Sequence, residues 1–237
     1  MDLTIIVPCL NEIKILEDSI KRIKEVLDIS KYRYEIIIID DGSTDGTKEL
    51  AKKIADKYNN IKFINHEKNK GRGITVDEGV RNARGKIAGY IDVDLETPAS
   101  YILALVLEIE KGADIATAYR HYKFNLPYTH RWFLSKGYNF LVRLLLNVKL
   151  KDTETGCKFF NKKKILPVLD QIKKTGWFWD TEIMVRSLYA GLKIKEVPTV
   201  FLRRGETGTT VSVVKDSVDY FFNLLRFRGE IKRKKLK

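Results

Sequence analysis

The chain has 237 residues, of which 44% are hydrophobic, and these values suit one large domain, or a domain with an appendage, that buries a substantial core. Its net charge of +13 predicts attraction to a polyanion, which is nucleic acid, an anionic membrane face or a phosphorylated substrate. Two cysteines without a Cys-x-x-Cys pair favour a reducing compartment. Asp2 stands where a signal peptide has a basic start, and two basic residues interrupt the most apolar long stretch, 132–148. We therefore expect a soluble or peripheral cytoplasmic protein.

Apolar runs alternate with helical patterns over the first half of the chain. Strands are predicted at 3–7, 34–39, 61–64, 87–91 and near 114–119. Four helices are predicted between these strands. The first opens at Asn11-Glu12, and the second passes through Leu50 and Ile54. The third follows Gly71 and is closed by Gly85, and the fourth spans about 100–110. This alternation implies a mostly parallel sheet with right-handed crossovers.

The pattern loosens after Arg120. A loop is predicted at 121–130, an aromatic-rich segment after it and a turn at 152–156. A helix follows Trp177 and ends at Gly191, and strand-like runs cover 194–197 and 199–203. A helix over about 214–227 and a strongly basic tail at 232–237 end the chain. In this helix Val213, Val214, Ser217, Tyr220, Phe221, Leu224 and Leu225 form one apolar stripe, which is typical either of core packing or of a membrane surface.

Three acidic residues follow the strand 87–91 at alternate positions: Asp92, Asp94 and Glu96. On an extended chain such residues point to the same face, so we expect them to converge at the strand's carboxyl end. Ligands of open α/β sheets bind beyond these ends. Carboxylate oxygens suit Mg²⁺ or Mn²⁺, especially where a substrate diphosphate completes the shell. The alternative is an ordinary polar exit from the strand.

Two further motifs are open to more than one interpretation. Asp41 ends the second strand, where a carboxylate accepts hydrogen bonds from a base or ribose, or caps a helix. Gly71-Arg72-Gly73 allows backbone amides to approach a phosphate. Val76 stands where a dinucleotide fingerprint requires glycine, so we reject a dinucleotide site.

The aromatic and histidine residues favour structural roles. Trp177 and Trp179 are typical of a core or pocket wall, although beside Asp180 and Glu182 they could line a sugar site. The histidines show no metal-ligand spacing, and we expect each of them on the surface or in a loop: His66, His121 and His130.

Four segments together resemble the family 2 glycosyltransferases with a GT-A fold. In chain order they are IIVPCLNE (5–12), DDGSTDGT (40–47), NKGRG (69–73) and DVD (92–94). The second half is similar to the dolichyl-phosphate mannose and glucose synthases at Arg120, Arg131, Asp152, Thr155 and Arg204. Glu96 replaces the glutamine usual in the mannose synthases, and the segment 177–182 is closer to the glucose synthases, so the donor stays open.

The resemblance implies roles for particular residues. The nucleotide would be held by Pro8, Asn11, Glu12, Asp41, Lys70, Gly71, Asp92, Val93 and Asp94. Mg²⁺ or Mn²⁺ would be held by Asp94, with Glu96 and Asp92. Arg120, Arg131 and Arg204 would hold the acceptor phosphate beside the catalytic Asp94. The candidates for the acceptor or sugar site are Asp152, Thr155, Trp179, Asp180 and Glu182.

We therefore expect an inverting transferase that moves mannose or glucose from GDP or UDP to dolichyl or polyprenyl phosphate. Residues 1–210 would form the catalytic domain, with a nucleotide-sugar half (1–120) and an acceptor half (121–210), and residues 211–237 the amphipathic helix and tail. The enzyme would sit peripherally on the anionic inner face of the cell membrane and bind no nucleic acid.

Three alternatives stay open beside this expectation. A family 2 enzyme that acts on a sugar hydroxyl would use Asp180 as its base. A nucleotidyltransferase would need a glycine-rich loop after the first strand, where this chain has Pro8 to Glu12. A nucleic-acid-binding module would explain the positive charge but not the acidic cluster.

Overall fold

A seven-stranded sheet lies at the centre of the computed structural model, which describes residues 1–121, 129–173, 176–202 and 213–235. Side chains are described for these residues except 121–135, 213–219 and 234–235. Of the loop predicted at 121–130, residues 122–128 lie outside the described residues, as does the candidate Arg204. The ends of this prediction are wrong, because His121 is the last residue of a strand and His130 lies in the first turn of a helix. Arg131 lies in a helix, without a described side chain.

The sheet has the order β3-β2-β1-β4-β6-β5-β7. Its strands are β1 (Leu3–Cys9), β2 (Tyr34–Asp40), β3 (Ile61–Asn65), β4 (Ile87–Ile91), β5 (Ile115–His121), β6 (Cys157–Asn161) and β7 (Ile194–Val200). β6 runs antiparallel to β4 and β5, and the other neighbouring strands pair in parallel. The predicted mostly parallel α/β sheet is confirmed.

Helices cover both faces of this sheet. They are α1 (Leu16–Asp28), α2 (Thr47–Lys57), α3 (Arg72–Asn82), α4 (Tyr101–Glu110), α5 (Thr129–Leu146), α6 (Lys162–Leu169), α7 (Trp179–Tyr189) and α8 (Val213–Lys235). One core packs α1, α2 and α4 against the sheet, and another packs α3, α6 and α7 against its opposite face. A strand buried on both faces needs apolar residues at every position, which explains the four consecutive isoleucines of β2.

The sequence patterns did not predict β6 and α6, and β7 is one strand where two runs were predicted. β6 carries Lys158 in its middle, and α6 carries Pro167 and three lysines, so neither shows a clear apolar period. β7 is a single strand through Pro198, where two runs were predicted. It forms an edge of the sheet, and proline is tolerated in edge strands because no ladder hydrogen bond has to be donated on the open side.

α8 is longer than predicted, and its apolar residues divide between two faces. Leu224 and Phe227 are buried in a third cluster with α5 and α7, while Phe221, Phe222 and Leu225 are exposed. The prediction of one continuous stripe is therefore wrong for the described side chains, because the helix uses one face for packing and shows another to solvent. Within the residues that the structure covers, no helix has the length and apolar character needed to cross a bilayer.

Candidate active site

The loops after β1 and β2 hold each other at the carboxyl edge of the sheet. The Asn11 backbone N–H donates to Ser43 Oγ, and Thr44 N–H donates to Asn11 Oδ1, both at 2.8 Å. Glu12 N–H donates to Thr47 Oγ1, also at 2.8 Å. These amides bond across to the second loop, which explains why the helix predicted from Asn11 begins only at Leu16.

Asp41 organises the loop that precedes α3. Its Oδ1 accepts a hydrogen bond from Lys70 N–H (2.9 Å) and its Oδ2 one from Gly71 N–H (3.0 Å). The side chain is buried. Asp41 thereby brings two predicted nucleotide residues, Lys70 and Gly71, beside the β1 and β2 loops. A direct contact between Asp41 and a nucleotide stays a prediction.

His66 forms a hydrogen bond with the Asp41 carboxylate. Its Nδ1 lies 2.7 Å from Asp41 Oδ1, and its Nε2 lies 2.9 Å from Glu78 Oε2. His66 lies in the loop after β3, which is one of the two expected positions, but it is not on the surface, since it is 3% exposed. His66 is buried because it comes directly after β3 and lies beneath the loop that is hydrogen-bonded to Asp41.

The acidic residues after β4 turn rather than continue in an extended chain. Leu95 N–H donates to the Asp92 carbonyl at 3.1 Å, and Leu95 adopts a φ of 50°. Glu96 N–H donates to Asp94 Oδ1 at 3.0 Å. The i, i+2, i+4 convergence predicted for Asp92, Asp94 and Glu96 is therefore wrong, because it required a strand. Among the described residues, no three histidine, cysteine, aspartate or glutamate side chains group as a metal site.

Carboxylates are nevertheless crowded at this edge. Burial and the charges of Asp94, Asp45 and Asp92 raise the pKa of Glu12 to about 7. Burial raises the pKa of Asp92 to about 6, and Asp94 adds to this effect while Arg72 opposes it. Hard oxygen donors that repel one another suit a divalent cation. These carboxylates suit Mg²⁺ or Mn²⁺ only where substrate oxygens complete the shell, with Asp94 and Glu12 as the candidate ligands and Asp92 partly committed to Arg72.

Arg72 is a site residue to which the sequence pattern assigned no role. Its Nε and Nη2 donate to Asp92 Oδ1 at 2.9 and 2.6 Å, and its Nη1 donates to Asp180 Oδ2 at 2.5 Å. The guanidinium also lies 5.1 Å from the ring centroid of Tyr90 and 5.2 Å from that of Trp177. The glycine-flanked position of Arg72 at the start of a helix was the signal that could have drawn attention to it.

Lys158 completes a buried ionic network around Asp180. Its fully buried Nζ donates to Asp180 Oδ1 (2.6 Å), the Thr155 carbonyl (2.5 Å) and Tyr90 Oη (2.9 Å). Tyr90 donates to the same Asp180 oxygen. Burial raises the pKa of Asp180, but Arg72 and Lys158 outweigh this effect and lower it. Asp180 is therefore an ionised anchor with several donors, and the structure places Thr155 beside it.

The acceptor-side residues form a second charged group. Arg120 donates from Nε and Nη2 to both oxygens of the buried Asp152, at 2.6 and 2.8 Å. Burial raises the pKa of Asp152, but Arg120 outweighs it and the pKa is lowered. Burial raises the pKa of Glu154 to about 7, and Arg120 Nη2 lies 3.8 Å from its Oε2. Arg120 is thus brought to this edge in a bidentate ion pair.

Two sugar-site candidates lie apart from these groups. Glu182 is buried and accepts hydrogen bonds from Arg186, four residues further along α7. Trp179 is 1% exposed and packs edge-on against Tyr90 in the core. The core position favoured for Trp179 is therefore confirmed, and its burial leaves no exposed ring face for the alternative role of lining a sugar site. Trp177, just before the helix, is 40% exposed and stands over Arg72.

Comparisons with known proteins show the family of this chain. The sequence pattern described as Glycosyl transferase family 2 matches residues 4–166. The chain is 31% identical over 241 residues to the dolichol-phosphate mannosyltransferase of Pyrococcus furiosus, covering 98% of this chain and 66% of the relative. It is 29% identical over 223 residues to the dolichyl-phosphate beta-glucosyltransferase of Saccharomyces cerevisiae (83% and 65% covered). It is 29% identical over 231 residues to the glycosyltransferase AglD of Haloferax volcanii (95% and 37% covered).

The fold is similar to that of a solved enzyme with a related name. Glucosyl-3-phosphoglycerate synthase of Mycobacterium tuberculosis, crystallised with Mn²⁺ and UDP, superposes with a TM-score of 0.72 at 17% identity. The alignment covers 96% of this chain and 79% of that one. The chain spans about one third to two thirds of the length of the three curated relatives. From the family pattern over residues 4–166 and this shared architecture, we conclude that the chain belongs to family 2 of the glycosyltransferases and has a GT-A fold.

Proposed function

We propose that this chain transfers a hexose from a nucleotide diphosphate sugar, GDP-mannose or UDP-glucose, to dolichyl or another polyprenyl phosphate. The observation that carries the proposal is the group of carboxylates from β1 and β4, Glu12, Asp92 and Asp94, beside the loop that Asp41 holds. The dolichyl-phosphate transferases among the relatives support the acceptor. Both donors stay open because the relatives include mannosyl- and glucosyltransferases.

The residues of this chain divide the work of an inverting displacement. Glu12 and Asp94 would hold a divalent cation, which would supply Lewis-acid charge to the departing diphosphate. The amides of Lys70 and Gly71, aligned by Asp41, border the same edge. The acceptor phosphate attacks the anomeric carbon from the opposite face. A phosphate monoester is mostly dianionic at neutral pH, so it needs cations rather than a general base.

The cations proposed for the acceptor phosphate are not equivalent. Arg120 is paired with both oxygens of Asp152, so it contributes to the phosphate site mainly by shaping it. Arg131 on α5 and Arg204 are proposed as the direct partners, because arginine offers bidentate geometry to phosphate.

Acceptors with a hydroxyl group are a second candidate, favoured by one observation. Such an enzyme needs a carboxylate base with a pKa near the working pH. Asp180 is buried, ionised and held by Arg72, Lys158 and Tyr90, which makes it a poor base. Glu154, with a pKa raised to about 7, is the better one. Glu154→Gln should abolish transfer to a hydroxyl and leave transfer to a phosphate largely intact.

The outer faces of α5 and α8 suit a membrane surface. Exposed apolar side chains lie on both helices: Phe140, Leu144, Phe221, Phe222 and Leu225. Basic residues follow on α8, where an anionic bilayer attracts them. We propose that the chain binds peripherally to the inner face of the cell membrane, where a lipid acceptor is within reach.

A transfer assay with matched acceptors tests the proposal. Purified protein with Mn²⁺ and either UDP-glucose or GDP-mannose is offered dolichyl phosphate or dolichol, and lipid-linked sugar is measured. We expect product with one donor and with the phosphate alone. Product from dolichol but not from dolichyl phosphate would contradict a phosphate acceptor. The absence of lipid-linked sugar with both donors and both acceptors would contradict hexosyl transfer.

A further inference from the structure

One guanidinium connects the two halves of the site. Arg72 begins α3, Asp92 follows β4 in the donor half, and Asp180 lies in the first turn of α7 in the acceptor half. Arg72 donates to Asp92 Oδ1 from two nitrogens and to Asp180 Oδ2 from the third. Arg72 thus bonds directly to Asp180, which lies 108 positions further along the chain.

The surroundings give this bridge one geometry. Tyr90 and Trp177 both lie within cation–π distance of the guanidinium, which keeps its side chain 12% exposed. Lys158 and Tyr90 occupy the other oxygen of Asp180. A Cβ added at Gly156 would lie 1.7 Å from Asp92 Oδ2, so Asp92 is also confined on its far side. Both carboxylates are thus bonded to Arg72 through one oxygen and have close neighbours at the other.

We propose that Arg72 is a positioning residue that keeps the first turn of α7, and Trp177 before it, aligned with the donor carboxylate Asp92. The inference rests on the proposed function, because it assigns a role in that same transfer. Arg72 acts through the two carboxylates. Its loss therefore affects the alignment of the reacting groups, which sets turnover, more than the affinity for the donor. A lysine at this position keeps the charge but lacks the fork that serves two carboxylates.

The first experiment separates positioning from simple stabilisation. Arg72→Met leaves Asp180 with one cation fewer and should lower both the melting temperature and kcat, the latter by about 100-fold. The KM for the donor should change less than about threefold. Sucrose at a concentration that returns the melting temperature of Arg72→Met to the wild-type value should leave its kcat low, because added stability does not restore the bridge. Arg72→Lys should fall between wild type and Arg72→Met.

Lys158→Met is the matched control, because it also takes a cation from Asp180 but leaves the Arg72 bridge intact. At comparable melting temperature it should lose less kcat than Arg72→Met. Two results would overturn the proposal. One is an Arg72→Met variant that recovers turnover when sucrose restores its melting temperature. The other is an Arg72→Met variant with wild-type kcat whose donor KM accounts for the whole loss.

Hydrogen–deuterium exchange keeps this inference distinct from the proposed acceptor. UDP-glucose or GDP-mannose with Mn²⁺ should slow exchange of the amides at 179–183 in the wild type, because Asp92 and α7 are joined. In Arg72→Met the same donor should bind without this effect. A wild type that binds donor but glycosylates no polyprenyl phosphate contradicts the acceptor alone. Donor binding that leaves 179–183 unchanged in the wild type overturns the role of Arg72.

Discussion

Like charges meet at the carboxyl ends of β1 and β4, and the residues there have unusual titration. Glu12 and Asp92 carry raised pKa values because burial and neighbouring carboxylates disfavour their ionised forms. Arg72 compensates for one of them only. A bound divalent cation would relieve the remaining repulsion, which connects the electrostatics of these residues to the proposed chemistry.

Removal of the cation is the first test at this scale. EDTA should abolish transfer by the wild type. Asp94→Ala should lower kcat/KM by about 100-fold or more, because a catalytic metal stabilises the charge of the transition state by several kcal/mol. Circular dichroism should show both proteins folded. Glu49→Ala, which removes an exposed carboxylate of α2, serves as the control. Full transfer in EDTA would rule out the metal role.

The pKa of Glu12 predicts a pH dependence of stability with a definite sign. Between its ordinary value of 4.5 and the folded value of about 7, the folded chain binds more protons than the unfolded chain. The free energy of unfolding of metal-free protein should therefore fall as pH rises through this window. Glu12→Gln should raise the melting temperature at pH 8 by about 2–4 °C and raise it less at pH 5.5. Calorimetry in EDTA measures this, and an equal shift at both pH values would contradict it.

Among the elements, α8 has one apolar face that packs in the core and another that is exposed to solvent. Its inner face packs Leu224 and Phe227 onto α5 and α7, and Glu230 pairs with Arg186 at 3.3 Å. Its outer face exposes Phe221, Phe222 and Leu225. A truncation after Gly229 would remove Glu230 as well as the basic tail. Point substitutions are therefore the cleaner test of membrane attachment.

Phe221→Ser/Phe222→Ser should weaken flotation with anionic vesicles while the melting temperature changes little, because these side chains are outside the core. Leu224→Ala is the matched control, since it should cost about 2–5 kcal/mol of stability by leaving a cavity. The folded fraction of that control should still float. Unchanged flotation of the double serine variant would refute attachment through this face.

Across the whole molecule, the insertion of antiparallel β6 between β4 and β5 joins the two halves. It carries Lys158 beside Tyr90 and places Gly156 against Asp92. Arg120 is paired inside the protein with Asp152, whereas Arg131 is proposed to bind the acceptor phosphate.

Arg131→Ala should raise the KM for polyprenyl phosphate by about 10–100-fold with donor affinity unchanged, as expected for the loss of a charged hydrogen bond. Arg120→Ala should instead lower stability by about 3–5 kcal/mol, because it leaves Asp152 buried without its partner. Denaturant unfolding and acceptor titrations distinguish the two. A neutral Arg131→Ala would remove this residue from the acceptor site.

Local pattern determined much of this protein. The strands and helices up to Arg120 followed from apolar periodicity, which depends only on near neighbours in the chain. The order of the motifs was sufficient to identify the family. It also predicted that Asn11, Asp41, Lys70 and Asp94 lie at one edge of the sheet, because the carboxyl ends of parallel strands meet there.

Tertiary structure alone decided the partners of each charge. Arg72 and Asp180 meet because α3 and α7 pack on the same face of the sheet, and Lys158 reaches them because β6 pairs with β4. His66 was unexpected for the same reason, since its burial comes from the Asp41 loop folding over β3. Ion pairs between distant segments leave no period in the sequence. They arise from strand order and the register of β6, which long-range packing selects.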